Sequence, residues 1–162
     1  MRYAICLIPL VLVSIYGCGY STEPLLRSDI ETVYVPVLEN NTFRRGFEVE
    51  LTQSLVEEIN MRTHLRVVPR EEADSELVGT IRDFKETVIT KTAADRIIEK
   101  ELTVFVRFKW VDLRTGRTIF RKNDVRATSD VVFASGETVD EGRQRAFRAM
   151  ARKIVRLMES DW

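Results

Sequence analysis

Cys18 is the residue whose side chain is most clearly placed for a chemical reaction, because of the segment that precedes it. A predominantly apolar run of about 12 residues, from Ala4 to Ile15, lies before it, and Arg2 supplies a positive charge at the start. A run of this length suits the central region of a signal peptide and is too short to cross a bilayer as a helix. We therefore expect this segment to be a targeting signal that takes no part in the fold.

The order of apolar run, small residue and cysteine resembles the lipobox of bacterial lipoproteins, with Gly17 directly before Cys18, although Tyr16 stands where a small residue is more usual. The resemblance implies that residues 1–17 are a lipoprotein signal peptide, that the Cys18 sulfur carries lipid, and that residues 18–28 form a lipidated tether. Two or three acyl chains anchor a protein stably. The alternatives are an ordinary signal peptide with a chance cysteine, or a buried N-terminal strand.

The other nucleophilic and titratable residues form no pattern that is typical of an enzyme. The single histidine, His64, follows the first predicted helix as a polar turn residue, and the sequence has no Gly-rich phosphate loop and no GxSxG motif. Paired carboxylates such as Glu57/Glu58 are expected at solvated positions. We therefore predict a binding or assembly protein with no catalytic residue, no metal and no cofactor.

The charge balance bears on the kind of partner. Lysine plus arginine and aspartate plus glutamate number 25 each, so the net charge is zero. Nucleic-acid binding needs a basic excess, and none is present. After cleavage, Cys6 is lost with the signal peptide, so no pair of cysteines remains for a disulfide and the stability must come from a packed core.

A cluster of cations beside aliphatic side chains is predicted at the tip of a long β-hairpin. Lys91, Arg96 and Lys100 flank Ile97 and Ile98. Cations pair with phosphates, so a surface of this composition fits an amphiphile with phosphate and acyl parts. An ordinary solvated hairpin would show the same residues. The next strand carries further cations that could extend the surface: Arg121, Lys122 and Arg126.

Hydrophobic periodicity predicts two helices and five strands. The helices are predicted at Phe47–Arg62 and Thr138–Ser160, each with one apolar stripe. A change of parity along the third strand predicts a bulge near Arg82–Phe84. The predicted strands are Thr32–Leu38, Leu65–Val68, Ser75–Thr90, Ile97–Leu113 and Thr118–Thr128.

This element order, β-α-β-β-β-β-α, predicts an α+β two-layer sandwich in residues 29–162. Two helices with one apolar stripe each would pack on one face of a mostly antiparallel sheet of four or slightly more strands. The side chains expected at the centre of the core are Leu51, Leu55, Phe147 and Ile154.

Four segments in sequence order carry a resemblance to one family. They are Cys18-Gly19-Tyr20, the stretch IETVYVPVLENNT from Ile30 to Thr42, the helix start FEVELT at Phe47–Thr52, and EADSELVGTI at Glu72–Ile81. Together they resemble the LptE family of lipopolysaccharide-assembly lipoproteins over essentially the whole mature chain. The resemblance implies an α+β sandwich and a non-enzymatic lipoprotein, lipid-anchored on the periplasmic face of the outer membrane.

The implied partners are lipopolysaccharide and a large outer-membrane β-barrel of the LptD type, whose lumen the lipoprotein plugs and whose folding it assists. The lipopolysaccharide-binding cations of the family do not align residue by residue, so Lys91, Arg96 and Lys100 are chosen from charge and position. The stretch VPVLENNT followed by a helix is also similar to outer-membrane lipoproteins that activate peptidoglycan synthases or build secretion assemblies. That alternative stays open from the sequence.

Overall fold

The computed structural model describes residues 29–160, in which two helices cover one face of a six-stranded mixed sheet. The predicted α+β sandwich is confirmed. The helices are α1, Phe47–Arg62, and α2, Val139–Ser160. The strands are β1 Thr32–Tyr34, β2 Glu39–Asn40, β3 Arg66–Val67, β4 Ser75–Lys91, β5 Ile97–Asp112 and β6 Thr118–Val132. Short 3-10 helices occupy Arg70–Glu72 and Phe133–Ser135.

The sheet has the order β3-β1-β4-β5-β6, and β2 also pairs with β4. β1 runs parallel to β3 and β4, and β2 runs parallel to β4, whereas β4, β5 and β6 form an antiparallel meander. The predicted bulge is confirmed as a register shift between Ile81 and Asp83. A second shift, between Val106 and Phe108, lies beside it because Ile81 faces Val106 across the β4–β5 ladder.

The predicted strand Thr32–Leu38 is interrupted in the structure. It forms β1 and then leaves the sheet at Pro36, which has no N–H to donate to a ladder. The amide N–H of Leu38 instead donates to Thr52 Oγ1 of α1, at 3.0 Å, and the chain rejoins the sheet as β2. As a result Val37, which a continuous strand would place on the same face as the buried Val33 and Val35, is 61% exposed.

Local side chains determine where the helices begin. α1 starts after Gly46, whose φ of 92° lies in the left-handed region. Glycine adopts this conformation easily because it has no Cβ. Thr138 and Glu141 form a capping box before α2. The Glu141 N–H donates to Thr138 Oγ1 at 3.2 Å, and the Thr138 N–H donates to Glu141 Oε2 at 2.8 Å.

The core lies between the helices and the sheet, and the four predicted core residues are all buried, none more than 1% exposed. Phe47 of α1, Phe84 of β4 and Phe147 of α2 meet edge to face, with ring centroids 5.0 to 6.1 Å apart. Such pairs contribute about 0.5–1.5 kcal/mol beyond the burial of their area. This cluster therefore joins both helices to the longest hairpin of the sheet.

The two helices also carry complementary charges. Arg143 of α2 donates to both carboxylate oxygens of Glu50 on α1, at 3.0 and 3.2 Å. Glu58, expected at a solvated position, is only 4% exposed and lies between Arg62 and Arg152. A charge buried to this extent needs such partners, since an unpaired one would be costly.

β6 is longer than predicted, because Val131 is fully buried beneath α2 instead of lying in a loop. The close approach depends on Gly142. A Cβ at that position would lie 2.1 Å from Val131 Cγ2 and 3.0 Å from Leu102 Cδ1. Valine is stiff at χ1 and cannot swing aside easily.

Gly142→Ala should therefore destabilise the protein by about 1–3 kcal/mol, the usual cost of overpacking a core. In an exposed helix the same change would stabilise by about 1 kcal/mol. The free energy of unfolding in urea measures the effect. Gln144→Ala, at an exposed position of the same helix, is the control and should change it by less than about 0.5 kcal/mol. A Gly142→Ala protein as stable as the wild type would contradict the close packing.

Candidate functional site

The predicted cation cluster lies on the β4–β5 hairpin, whose tip extends beyond the helices. Every residue from Thr87 to Ile97 is exposed. The turn is closed by the Thr92 N–H donating to the Arg96 carbonyl at 2.8 Å and by the Arg96 N–H donating to Thr92 Oγ1 at 3.0 Å. The tip is therefore a defined turn in contact with water on all sides.

The structure brings Lys91, Arg96 and Lys100 onto this one hairpin, but their charges are not equally free. Lys91 Nζ lies 2.8 Å from Asp95 Oδ1, and Lys100 Nζ lies 3.1 Å from Glu86 Oε2. Arg96 makes no ion pair with any residue in the part of the chain that the structure describes. Two of the three cations are thus already matched by carboxylates, and Arg96 is the most available for an anionic ligand.

Glu86 forms the base of the tip. Its carboxylate also accepts a hydrogen bond from Arg44 Nη1 at 2.6 Å, and the Arg44 guanidinium stacks over the rings of Phe84 and Phe47. Burial raises the pKa of Glu86, but the hydrogen bonds from Lys100 and Arg44 outweigh it and hold the pKa below its ordinary value. The carboxylate therefore stays charged and joins the hairpin to the start of α1.

Aliphatic side chains accompany these cations, as the sequence predicted in part. Ile97 is 36% exposed, Ile98 is half-buried, and Val88 and Ile89 of β4 are 39% and 53% exposed. The exposed aliphatic surface is therefore larger than the two isoleucines alone indicated. Cations beside exposed aliphatic groups can meet a lipid through both its phosphate and its acyl parts.

A second group of cations lies on the sheet face that the helices leave open. Arg107 and Lys109 of β5 and Arg121 of β6 line a cavity of about 450 Å³, which we call the basic groove. Its other walls come from the segment between β1 and β2 and from β4, including Val37, Glu39 and Val78. The Glu39 carboxylate accepts a hydrogen bond from Thr80 Oγ1 at 3.0 Å.

The cations of the basic groove form no ion pairs within residues 29–160. Lys109 and Arg121 face each other directly in the β5–β6 ladder, and Arg107 follows two residues away on the same face. Like charges in directly opposite positions destabilise a sheet. Within residues 29–160, none of the three forms an ion pair or a side-chain hydrogen bond with another residue. The basic groove therefore holds three cations without ion pairs, two of them directly opposite each other, with the Glu39 carboxylate in the same lining.

Sequence reasoning noticed Arg121 and missed Arg107 and Lys109. The sequence of β5 does indicate them, because Arg107 and Lys109 alternate with the buried Val106, Phe108 and Trp110. Such alternation places them together on the opposite face. Lys122 instead stacks over the ring of Phe120. Arg126 borders a separate hollow of about 600 Å³ near Lys153 and Arg156.

Polar contacts fix the first described residues of the chain, near Asp29, to the sheet. Arg114, in the turn between β5 and β6, donates to Asp29 at 3.1 Å and lies 3.6 Å from Asp112. Asp74 accepts hydrogen bonds from the Thr32 hydroxyl at 2.9 Å and from the Glu31 and Thr32 N–H groups at 3.2 and 3.1 Å. The chain therefore meets the sheet at the end opposite to the hairpin tip.

The remaining titratable and apolar features of the described residues were also predicted from the sequence. Residues 29–160 contain no group of three or more His, Cys, Asp or Glu side chains that could hold a metal ion. His64 Nε2 lies 3.2 Å from the Ile30 carbonyl oxygen, as suits a polar turn residue. None of the helices within these residues is long and apolar enough to span a bilayer. Cys18 and the predicted signal peptide lie outside the described residues.

Comparison with known families decides the relationship. A family model for LptE, described as lipopolysaccharide-assembly, matches residues 30–161. The chain belongs to the LptE family. This is the family that the four sequence segments indicated, and membership places the chain in lipopolysaccharide assembly. No curated protein sequence matches the chain significantly.

Solved structures share the fold of this LptE-family chain at low sequence identity. The protein CT253 from Chlamydia trachomatis has a TM-score of 0.59 at 11% identity, covering 80% of this chain and 96% of its own. An uncharacterised lipoprotein B from Nitrosomonas europaea has a TM-score of 0.52 at 14% identity, and the match covers 81% of this chain and 86% of that one. The rare lipoprotein B from Shewanella oneidensis has a TM-score of 0.50 at 14% identity, and the match covers 80% of this chain and 95% of that one. Identities this low establish the fold alone.

The polar cluster at the start of the described chain makes stability depend on pH. The hydrogen bond from the Thr32 hydroxyl lowers the pKa of Asp74 below its ordinary value of 3.8 and outweighs burial, which raises it. Burial raises the pKa of Asp112, but the N–H groups of Thr115 and Arg114 outweigh it and keep the pKa below 3.8. Both carboxylates therefore bind protons more weakly in the folded than in the unfolded chain.

Their contribution to stability is complete above pH 3.8 and is lost as the pH falls through the lower folded values. An Asp74→Asn/Asp112→Asn protein should be less stable than wild type at pH 7 and should lose less stability on acidification. Urea unfolding at a series of pH values measures both effects. Asp124→Asn, at an exposed position, is the control and should leave the pH dependence unchanged. An identical slope in the double variant would contradict this role.

Proposed function

We propose that this protein is a lipid-anchored subunit of a lipopolysaccharide-assembly complex on the periplasmic face of the outer membrane. In this proposal residues 1–17 are removed as a signal peptide, Cys18 carries the acyl chains, residues 18–28 form the tether, and residues 29–162 are the single functional domain. The observation that carries the proposal is the match of the LptE family model to residues 30–161. The domain binds lipopolysaccharide and assists a β-barrel of the LptD type, without catalysis.

The hairpin tip is the proposed contact with lipopolysaccharide. Arg96 is free to form a bidentate pair with a lipid phosphate, while Lys91 and Lys100 can exchange their carboxylate partners for phosphate oxygens. Val88, Ile89 and Ile97 would lie against the acyl region. The tip suits this role because both ends of an amphiphile find matching groups within one turn of the chain.

Lipidation is tested at the thiol that would accept the lipid. Cys18→Ala should abolish diacylglycerol transfer and cleavage, because no sulfur remains at that position. Mass spectrometry of the mature protein should show an acylated Cys18 at the N-terminus of the wild type and an unprocessed chain in the variant. An unmodified wild-type N-terminus, or one at any other residue, would refute the anchor.

Lipopolysaccharide binding is tested at the tip. A Lys91→Ser/Arg96→Ser/Lys100→Ser protein should bind lipopolysaccharide more than tenfold more weakly in a pull-down titration, because a charge-assisted hydrogen bond contributes about 1.5–3 kcal/mol. Among the single variants, Arg96→Ser should show the largest loss, since its charge is not already paired.

The matched control is Arg45→Ser/Arg66→Ser/Arg148→Ser, which removes three exposed cations elsewhere. It should bind as the wild type does. The control variant should keep the wild-type melting temperature, because its three cations are exposed and matter little for stability. The tip variant also removes the half-buried ion pair of Lys100 with Glu86 and should melt at a lower temperature, so binding is compared at a temperature at which both variants are folded. Unchanged binding by the tip variant would exclude the tip as the site. Co-purification from outer membrane with a peptidoglycan synthase instead of a large β-barrel would favour the alternative function.

A further inference from the structure

We propose that Phe43 is an anchor residue for the partner β-barrel, and that its ring enters an apolar pocket on that protein. The residue lies in the loop between β2 and α1, residues 41–46, which we call the Phe43 loop. This inference rests on the proposed function, because it names a surface that contacts the barrel. It concerns other residues than the hairpin tip and a different partner, a protein instead of a lipid.

The ring of Phe43 is surrounded by water. Its relative exposure is 106%, the highest value among the large apolar side chains of residues 29–160. The fold therefore gains no stability from this ring, whereas an aromatic side chain that enters an apolar site buries about 150–250 Å². Single exposed apolar side chains are common on protein surfaces, so the support beneath the ring is what distinguishes this one.

The side chain of Asn40 fixes the conformation of the Phe43 loop. Its Oδ1 accepts hydrogen bonds from the N–H and the hydroxyl of Thr42, at 2.9 and 2.7 Å. Its Nδ2 donates to the Arg44 carbonyl at 2.7 Å and to Glu48 Oε2 at 2.6 Å. Asparagine commonly stabilises turns through such bonds to nearby backbone groups. One amide therefore holds the residues on both sides of the exposed ring and connects them to α1.

Both ends of the Phe43 loop are attached to regular structure. The Asn41 N–H donates to the carbonyl of Ile81 on β4, at 2.9 Å. The Gly46 N–H donates to the carboxylate of Glu48 in the first turn of α1, at 3.1 Å. The loop is thus fixed to the sheet at its start and to the helix at its end.

Arg44 occupies the surface that a neighbouring ring could otherwise cover. Its guanidinium carbon lies 5.2 Å from the ring centroid of Phe84 and 5.9 Å from that of Phe47, and its Nη1 donates to Glu86 at 2.6 Å. The outer side of the aromatic cluster is therefore already covered by a cation. Phe43, the next residue in the chain, remains in water.

An exposed ring on a braced loop has the properties of an anchor residue. A loop that is already fixed loses little conformational freedom when a partner binds, so more of the contact energy appears as affinity. The residues that dominate protein–protein binding are often aromatic and fill pockets on the partner. Phe43 combines an apolar ring, full exposure and a fixed backbone.

The surroundings of the ring favour a protein over a lipid. Asn41 and Arg45 are exposed beside it, and Thr42 and Arg44 carry further polar groups. Insertion into hydrocarbon would remove these groups from water without new partners, which is costly. A protein pocket has a polar rim that can pair with them. Arg45 forms no ion pair within residues 29–160, so a rim that carries carboxylates would be complementary.

The position of the Phe43 loop allows the barrel and lipopolysaccharide to bind together. Arg44 of the loop pairs with Glu86, and Glu86 also pairs with Lys100 of the hairpin. The two surfaces are therefore neighbours that share one carboxylate, and they use different side chains for binding. A barrel that contacts the loop would lie beside the lipid-binding tip.

The test is a competition in cells that produce the full-length wild type and a tagged variant together. The barrel of the LptD type is purified, and the ratio of variant to wild type bound to it is divided by their ratio in the membrane. Phe43→Ala should lower this value at least tenfold and keep the wild-type melting temperature, because the ring packs against nothing in the fold. Met61→Ala, at a 69% exposed apolar residue in the last turn of α1, is the matched control and should compete as the wild type does.

A double-mutant cycle tests the support of the ring. Asn40→Ala should also weaken competition for the barrel, because the loop loses the amide that fixes it. In a protein that already carries Phe43→Ala, the same change should have little further effect, since the two residues act through one contact. An equal loss in both backgrounds would show that Asn40 affects only the fold.

The outcomes separate this inference from the proposed function. A wild type that co-purifies with no large β-barrel would reject both. If the wild type brings the barrel with it and Phe43→Ala competes equally well, the anchor is rejected and the proposed function stands. A Phe43→Ala protein that keeps the barrel but loses lipopolysaccharide would assign the ring to the lipid and would also reject the anchor.

Discussion

The alternation of side chains along β5 is the constraint on which the rest of the structure depends. Leu102, Val104, Val106, Phe108 and Trp110 point to one face and are at most 2% exposed. Because the period of a strand is two, the residues between them must point to the other face. A register error of one residue would therefore expose the core and bury Arg107 and Lys109 at the same time. The alternation that buries the core side chains of β5 therefore also exposes Arg107 and Lys109, so a shift in register would change both faces together.

The elements with strong periodicity could be predicted from the sequence, and those that depend on single tertiary contacts could not. The helix at Phe47–Arg62 has the same bounds in the structure, because an apolar residue at every fourth position leaves little choice. The early strand was predicted to be continuous, but its path depends on the hydrogen bond from Leu38 to Thr52, 14 residues away. The end of β6 depends on Gly142, a position without a side chain whose role appears only when α2 lies on Val131. Local patterns carry no information about such contacts.

The candidate sites show the same division. That Lys91, Arg96 and Lys100 share a hairpin follows from the turn signals around them. Whether their charges are free depends on carboxylates that the fold brings to them, one nearby at Asp95 and one across the ladder at Glu86. A net charge of zero conceals this distribution, because it sums over surfaces that do not interact. Carboxylates pair with two of the three hairpin cations and with arginines between the helices, while Arg96 and the cations of the open face have no such partner within residues 29–160.

The helix layer shows how this chain places carboxylates beside cations where they contact other elements. Arg143 and Arg145 of α2 each find a carboxylate, and Glu58 is held by two arginines in the helix layer. A chain with as many acidic as basic residues could have placed one opposite Lys109, where an acidic side chain would stabilise the β5–β6 ladder. Arg121 stands there instead. Proteins commonly retain an unfavourable local arrangement where function requires it, and the stability lost is supplied by the rest of the fold. Here the fully buried stripe of β5 on the opposite face provides that stability, so the strand that bears the repulsion is also the one best able to tolerate it.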